Sequence, residues 1–295
     1  MKITLRQLYL FVLTAKHQTV SAAAKEASLS QAATSMSLAQ LEHLLGQSLF
    51  DREGRKLTLN TLGKQILPQA HEIIQKTHEL ERAVTKPNNP TGHIRIGAST
   101  TLANHILPPM INAFRKKYPD ISLELTAFNT ENCIRELLNF NIDTALVEGL
   151  YLHPNIEFKP WTTDQLQIVC HPKHPLAKKT AINPKLLSQY PWILREPASG
   201  TRQVLNAVLQ QHNVILNDTM VVNSSEAIKN LIQSNPLALS CLSKSILADD
   251  LKAKKLAKLT IKSWSLQRPF YYARHKLKTD THATQLFEDY VWSVI

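Results

Sequence analysis

The chain has 295 residues, of which 43% are hydrophobic, and its 34 lysines and arginines outnumber its 23 aspartates and glutamates by 11. This length excludes a single small module and predicts two or three domains with real cores. Met1 leads directly into a helical pattern, and no apolar run approaches the roughly 20 residues that cross a bilayer. We therefore expect no signal peptide and no membrane partner, and a cytoplasmic protein.

The positive charge is spread along the whole chain. The part up to Lys86 carries a formal charge of +4 and the remainder carries +7. A basic chain favours an anionic partner, although charge alone does not choose between nucleic acid, a membrane surface and a merely basic exterior. In the second part, a small anionic ligand and scattered solvated lysines explain the charge equally well.

The three cysteines are odd in number and far apart in the sequence. Cys133, Cys170 and Cys241 therefore predict neither a disulfide framework nor a metal site. We expect buried, neutral thiols.

Three helices are predicted in the first 46 residues, the last two joined by a tight turn. Thr19 and Ser30 are suitable N-caps for the second and third helices. Apolar residues at helical spacing predict the buried stripes of the first helix and of the third. These stripes are Leu5, Leu8, Phe11, Val12 and Ala15, and then Thr34, Leu38, Leu41 and Leu45.

The opposite face of the third helix carries small and neutral polar side chains instead of the usual Lys and Glu. Such a face fits the major groove of DNA, although an alanine-rich helical hairpin is an equal explanation. The next stretch, FDREGRKLTL at residues 50–59, favours DNA because it predicts a hairpin with three cations, a wing that touches phosphate or the minor groove. The predicted DNA contacts are Ser30, Gln31, Ala32, Ser35, Met36, Arg52 and Arg55.

A long helix is predicted from Asn60 to about Val84. Its residues Ile66, Ala70, Ile73, Thr77, Leu80 and Val84 alternate by four and three, which is a heptad seam. A seam without a local partner predicts dimerisation, and the alternative is one amphipathic helix packed on its own domain. Pro68 is expected to bend the helix, and the turn residues of 86–92 end it.

Beyond residue 92, strands and helices alternate in two rounds. Strands are predicted at 93–97, 121–126 and 143–148, then at 166–170, 192–194, 219–223 and 237–241, and finally near 257–262 and 269–274. Helices lie between them, and a last helix starts at Thr281. This alternation predicts an α/β fold whose parallel strands have helices on both faces.

Hydroxyl side chains occupy two strand-to-helix turns, Ser99-Thr100-Thr101 and Ser199-Gly200-Thr201. Two helix N-termini that face each other across a crevice would form an anion site, although each hydroxyl can equally cap its own helix. Glu148 ends a strand and suits a hinge carboxylate or a general base. No nucleophile–base pair or catalytic motif accompanies it, so we do not expect an enzyme.

Residues 5–63 resemble the winged helix-turn-helix of LysR-type transcriptional regulators. The resemblance is carried by LRQLYLFV, Ala23-Ala24, LSQAA, QLE at 40–42, LG at 45–46, LFDREGRKLTL and Gly63. The family often has Pro where Ala32 stands and a long polar or basic side chain where Met36 stands. In the second part, LVEG at 146–149, SGTR at 199–202 and NSSEAIK at 223–229 resemble the branch that regulates sulfur and inorganic carbon metabolism.

The resemblance implies a winged helix-turn-helix DNA-binding domain at 1–59, a dimerising linker helix at 60–86 and an effector-binding domain at 87–295. That last domain resembles a periplasmic binding protein, with one lobe at about 92–161 and 267–295 and a second at about 162–266. It implies a transcriptional regulator that binds double-stranded DNA as a homodimer, paired into a homotetramer, with RNA polymerase as a further partner.

No metal and no cofactor are implied beyond a small anionic effector, such as sulfite, sulfate or a small carboxylate. The implied effector contacts are Ser99, Thr100, Thr101, Glu148, Ser199 and Thr201. Effector binding would close the lobes and change DNA bending. Two rival classes are considered. The predicted wing and the missing export signal disfavour a solute-binding protein, and the lack of an assembled catalytic set disfavours an α/β enzyme.

Overall fold

The structure is a computed structural model that describes residues 2–54, 56–85, 90–149, 151–180, 182–217 and 219–294. Two predicted features therefore lie outside the described residues: the DNA contact Arg55 and the turn residues 86–89. The N-terminal domain begins with helices α1 (Leu5–His17), α2 (Val20–Glu26) and α3 (Gln31–Leu45). An antiparallel hairpin of β1 (Phe50–Glu53) and β2 (Lys56–Leu59) follows them.

The helix boundaries follow from capping residues. The hydroxyl of Thr19 accepts a hydrogen bond from the backbone N–H of Ala22, and that of Ser30 accepts one from Ala33 at 3.1 Å. Both predicted caps are therefore confirmed. Helix α3 ends where Gly46 adopts a left-handed backbone with φ +73°, which glycine reaches without a steric penalty.

One core holds the N-terminal domain together. On α3, Thr34, Leu38 and Leu41 are buried as predicted, and Leu45 packs against the same cluster. Gly63 lets the next helix approach the hairpin. A Cβ at Gly63 would collide with the carbonyl oxygen of Leu49 and lie 2.8 Å from Cδ2 of Leu59.

Helix α4 (Thr61–Thr85) is the predicted linker helix, and it runs through Pro68. Asn60 caps it by accepting a hydrogen bond from the N–H of Gly63 at 2.8 Å. The predicted seam divides between two environments. Ala70 is buried in the core of its own domain and Ile66 packs there, whereas Ile73 and Leu80 are 44% and 68% exposed. Part of the seam therefore packs on its own domain, as the alternative predicts, and dimerisation through its exposed part stays a prediction.

The first lobe of the C-terminal domain is built on three parallel strands, β3 (Gly92–Ser99), β4 (Ile121–Phe128) and β5 (Thr144–Glu148). A π-helical turn at Leu102–Ile106 leads into α5 (Leu107–Lys117), and α6 (Thr130–Leu138) joins β4 to β5. The last helix, α10 (His282–Ser293), returns to pack on this lobe against α5 and β3.

The second lobe follows a long strand, β6 (Ile156–Cys170). It contains the strands β7 (Trp192–Leu194), β8 (Thr219–Val221), β9 (Leu239–Ser243) and β10 (Ala257–Leu259). Its helices are α7 (Gly200–Gln211), α8 (Ser225–Ser234) and α9 (Ala248–Lys252), with 3₁₀ turns at Pro184–Gln189 and Lys244–Ile246. Strand β11 (Gln267–His275) leads back to the first lobe.

The predicted parallel strands are found in each lobe, but the two strands that cross between the lobes run antiparallel to their neighbours. Strand β6 carries the chain out of the first lobe and β11 brings it back, so the two lie side by side and antiparallel. They join both lobes into one nine-stranded sheet of order β4-β3-β5-β11-β6-β9-β7-β8, with β10 paired to β6. None of the described helices is long and apolar enough to cross a membrane.

One aromatic residue of the first lobe is buried in the core of the N-terminal domain. Phe140, just after α6, is 3% exposed and belongs to the hydrophobic cluster of the N-terminal domain. Its ring centroid lies 6.0 Å from that of His71 on α4 and 4.4 Å from that of His275 on β11. Its φ of +57° is costly for a residue with a side chain, so tertiary contacts hold it there.

Candidate functional site

The outward face of α3 is open to solvent. Gln31, Ala32, Ser35, Met36 and Ala39 are all exposed, and Met36 is exposed by 73%. Ser30 is exposed too, although its hydroxyl is used to cap α3. The face therefore offers small and neutral polar side chains to whatever covers it.

A polar groove of about 630 Å³ lies between α2, α3 and the β1–β2 hairpin. Gln31 and Ser35 line one wall, and Arg52 lines the other. The side chain of Arg52 is exposed, and Gly54 turns the hairpin with a φ of +61°. Arg52 forms no ion pair with a described residue, so it is available to an anion in the groove.

The predicted effector contacts meet where the two lobes touch. Five of the six are buried: Ser99, Thr101, Glu148, Ser199 and Thr201. Strand β5 brings Glu148 to this point from the first lobe, and the N-terminus of α7 brings Ser199 and Thr201 from the second. The two turns therefore come together as predicted, although most of their polar groups already have protein partners.

Arg268 at the start of β11 is the centre of this contact and is completely buried. Its Nη1 lies 2.6 Å from Oε1 of Glu148, and its Nη2 lies 2.7 Å from Oδ2 of Asp164 on β6. The guanidinium also donates to the hydroxyl of Thr201 at 2.8 Å and to that of Thr101 at 3.4 Å. Charges of both signs are thus paired inside the fold, as buried charges require.

Glu148 is a structural carboxylate in this arrangement. Besides the ion pair with Arg268, it accepts hydrogen bonds from the hydroxyls of Ser99 at 3.1 Å and Thr201 at 3.3 Å. Its backbone carbonyl accepts from the hydroxyl of Thr130 at 3.0 Å. The bond from Thr201 joins the second lobe to this side chain, and the bonds from Ser99 and Thr130 hold Glu148 within the first lobe.

A second polar contact joins the lobes through Arg195, which follows β7 and is 2% exposed. Its Nη2 donates to the hydroxyl of Thr100 at 2.8 Å, and it also pairs with Glu196. On the same side, His105 of the first lobe lies 3.7 Å from Glu226 of the second. Burial lowers the pKa of His105, although Glu226 acts to raise it.

Two glycines allow the close approach of the lobes. Gly149 has a φ of +88°, and a Cβ there would lie 3.1 Å from Cα of Gly200. A Cβ at Gly200 would lie 2.5 Å from the carbonyl oxygen of Glu148. The glycines of the LVEG and SGTR stretches are therefore required by backbone contact between β5 and α7.

Two polar atoms near this junction lack a hydrogen-bond partner in the part of the chain that the structure describes. The hydroxyl of Ser199 precedes α7 without capping it, and Oε1 of Gln203 lies one turn further along the helix. Both atoms are buried and lack a hydrogen bond among the described residues. Ser199 is thus the predicted contact whose hydroxyl remains available beside the positive end of a helix dipole.

The sequence prediction missed Arg268, Asp164 and Arg195. Arg195 follows strand β7 directly, and a polar residue where a strand ends is the signal that identified Ser99 at the end of β3. Arg268 and Asp164 lie inside long strands, and their pairing across 104 residues leaves no local signal. The three cysteines are buried as expected, and burial raises the pKa of Cys170 and Cys241 to about 12.

Two family profiles match this chain. The bacterial regulatory helix-turn-helix protein, lysR family, matches residues 5–64, and the LysR substrate binding domain matches residues 87–294. Among curated relatives, the HTH-type transcriptional regulator YeiE of Escherichia coli K12 is 35% identical over 98% of this chain and 97% of its own. The RuBisCO operon transcriptional regulator of Allochromatium vinosum is 28% identical over 99% of this chain and 97% of its own.

Solved structures give the same picture of the fold. A variant of full-length OxyR from Pseudomonas aeruginosa, 19% identical, superposes with a TM-score of 0.75 and covers 99% of this chain and 95% of its own. The regulatory domain of CcmR from Synechocystis PCC6803 in complex with 2-PG is 28% identical, with a TM-score of 0.63. It covers 69% of this chain and 97% of its own.

Proposed function

The chain belongs to the LysR family of transcriptional regulators, and from this membership we propose which of its surfaces contact DNA, effector and partner subunits. It is a DNA-binding regulator of transcription with an effector-binding domain, and it is not an enzyme. A regulator of this kind acts where the DNA is, so we place it in the cytoplasm. RNA polymerase is the further partner that transcriptional regulation implies.

The proposed DNA interface is the exposed face of α3 together with the wing. Ser30, Gln31, Ala32, Ser35 and Met36 would enter the major groove, and Arg52 would contact phosphate or the minor groove, as would Arg55 outside the described residues. The observation that carries this proposal is the uncharged, exposed face of α3 across the groove from Arg52, which has no ion pair with a described residue.

A salt titration tests the interface. We expect Arg52→Ala to weaken binding on most DNA sequences and to lower the slope of log affinity against log salt by about 1, because one phosphate contact is lost. Arg115→Ala removes an exposed arginine of α5 and should leave the slope unchanged. An unaltered slope for Arg52→Ala would remove that residue from the phosphate contacts.

The proposed effector is a small anion bound at the junction of the lobes. Support comes from the unpartnered, buried hydroxyl of Ser199 at the start of α7, and from the CcmR regulatory domain, which holds 2-PG. Ser99, Thr100, Thr101, Glu148 and Thr201 surround this point. An anion that engages Ser199 and Arg195 would compete with the present contacts of Thr100 and Glu196, and so would change how the lobes close.

A thermal-shift screen with sulfite, sulfate and small carboxylates tests the effector site, because a ligand that binds the folded state raises the melting temperature. An anion that raises the Tm of the wild type should raise it less in Ser199→Ala. Ser263→Ala changes an exposed serine of the same lobe and should respond like the wild type. An equal response of both variants would place the anion elsewhere.

The proposed assembly is a dimer through α4, paired into a tetramer whose recognition helices reach successive major grooves. Support comes from the exposed apolar residues Ile73 and Leu80 on α4. Leu80→Glu should lower the molecular mass measured by sedimentation, and Leu152→Glu, at a more exposed apolar site of the C-terminal domain, should not. Effector binding should change the DNA bend angle, and unchanged angles would count against lobe closure as the signal.

A further inference from the structure

A cavity of about 350 Å³ lies where three parts of the chain meet, away from the junction of the lobes. Helix α1 contributes Tyr9, Val12 and Leu13, helix α4 contributes His71 and Ile74, and strand β3 contributes Arg95. This volume is at the lower end of the range of about 300–1,000 Å³ that is usual for small-molecule pockets. The cavity exists only while the N-terminal domain rests on the first lobe.

Part of the wall on the side of the N-terminal domain is apolar. Val12 and Leu13 are 7% and 4% exposed, and the Tyr9 ring is partly exposed at the rim. Ile74 packs partly on the N-terminal core and borders the cavity from α4. These side chains form a surface that an apolar body would cover with a gain from desolvation.

The opposite wall carries Arg95, whose partner Asp143 is shared with a second cation, Lys278, behind the wall. Asp143 is 5% exposed and accepts from Nη2 of Arg95 at 2.8 Å, and it also accepts from the ammonium of Lys278. Two cations therefore share one carboxylate. Burial acts to raise the pKa of Asp143, but Lys278 and Arg95 hold it well below its usual range. Nη1 of Arg95 has no hydrogen-bond partner among the described residues.

The other carboxylate on the cavity wall is also occupied. Glu26 accepts from Lys16 at 2.9 Å and from the ring of His17. His71, stacked on Phe140, has no hydrogen-bond partner in the described parts of the chain. Among the polar groups of the cavity, Nη1 of Arg95 and the imidazole of His71 thus have no hydrogen bond to a described residue, and the cationic guanidinium suits a single carboxylate.

We propose that this interdomain cavity is a second ligand site, distinct from the junction of the lobes, and that it takes a small monocarboxylate with an apolar ring or branched body. The body packs against Val12, Leu13 and Ile74, and the carboxylate accepts from Arg95. Since the walls come from α1, α4 and β3, the ligand binds only the docked arrangement of the N-terminal domain and stabilises it. By linkage, it changes the affinity of that domain for DNA.

Three probes test this chemistry on the full chain by titration calorimetry. Benzoate has the ring and the charge, benzamide has the ring without the charge, and acetate has the charge without the ring. We expect benzoate to bind at least tenfold more tightly than either of the others. Equal affinity of benzoate and benzamide would overturn the role given to Arg95, and undetectable benzoate binding would overturn the site.

Variants locate the binding. Ile74→Phe fills the cavity and should weaken benzoate at least tenfold, and Arg95→Gln should weaken it at least fivefold while Lys278 still pairs with Asp143. Arg135→Gln changes an exposed arginine of α6 and should have no effect. Ser199→Val separates this proposal from the effector site. If Ser199→Val abolishes benzoate binding and Ile74→Phe does not, benzoate occupies the junction of the lobes and the proposal fails.

A second copy of the chain is the competing occupant. Sedimentation of the wild type and of Ile74→Phe, with and without benzoate, distinguishes the two. If Ile74→Phe dissociates the dimer while benzoate never binds the wild type, the cavity is part of the subunit interface and the proposal is overturned. If Ile74→Phe keeps the mass of the wild type but loses benzoate binding, the result supports the proposed ligand site.

Discussion

Replacing Arg268 by Met should cost the protein a large part of its stability. The guanidinium is fully buried and pairs with Glu148 at 2.6 Å and Asp164 at 2.7 Å, whose side chains are 2% and 6% exposed. Methionine fills a similar volume but leaves two carboxylates buried without their cation. Removing one partner of a buried ion pair typically costs about 3–5 kcal/mol, mostly because the remaining charge is uncompensated.

This cost is measurable as a shift in unfolding. For a domain of about 200 residues, 1 kcal/mol lowers Tm by about 2–4 °C, so the expected drop is about 6–20 °C. Urea unfolding followed by tryptophan fluorescence gives the free energy directly. Arg274→Met is the matched control, because Arg274 lies on the same strand and pairs with Glu157 and Asp280 near the surface. It should cost about 1 kcal/mol or less.

A third variant tests the cause of the loss. Adding Glu148→Gln to Arg268→Met removes one of the stranded charges and should recover at least about 1 kcal/mol of unfolding free energy. If Arg268→Met costs no more than Arg274→Met, the network does not hold the lobes together. If the double variant is less stable than Arg268→Met, uncompensated charge is not the reason for the loss.

Three further predictions rest on single residues. Gly63→Ala should lower the free energy of unfolding by about 1–3 kcal/mol, because its Cβ meets the carbonyl oxygen of Leu49. The loss is measured as a lower midpoint of urea unfolding, and an unchanged midpoint would show that α4 can shift. Cys241 should react with a disulfide reagent at pH 7 only as fast as the protein unfolds, since burial raises the pKa of its thiol to about 12, and rapid labelling of the native protein would contradict this. Burial, with Lys278 and Arg95, lowers the pKa of His71 to about 3, so the unfolded chain binds a proton first and stability should fall from about pH 6.5 towards pH 3. His71→Phe should flatten that fall, and an unchanged pH profile would exclude His71 as its source.

Local features of the fold were predictable because their causes lie within a few residues. The cap at Ser30, the buried stripe of Thr34, Leu38 and Leu41, and the open opposite face all follow from helical spacing and capping chemistry. The strand-to-helix turns at Ser99 and Ser199 follow from the order of elements. Hence the third helix and the approximate place of the junction could be found from the sequence.

Features that depend on distant pairing were not predictable in the same way. The ion pair of Arg268 with Asp164 and the antiparallel pairing of β6 with β11 join residues about a hundred positions apart. The heptad pattern of α4 correctly predicted an apolar stripe. It did not predict which part of that stripe the protein's own core covers. Ala70 faces its own domain and Leu80 faces solvent, because only the first half of the helix lies against α1 and the hairpin.

Helix α6 physically joins the lobe junction to the N-terminal domain. At its start, the hydroxyl of Thr130 donates to the backbone carbonyl of Glu148, and just past its end Phe140 is buried in the N-terminal core. Cys133, Ile134 and Leu137 bury its inner face in the first lobe, so the helix moves with that lobe as a rigid element. Any ligand that displaces Glu148 would therefore act, through the nine residues of α6, on the contact between Phe140 and the N-terminal core. A ligand in the interdomain cavity would act on the same contact through His71, which stacks on Phe140. Both proposed sites would then bias one arrangement of the N-terminal domain on the first lobe.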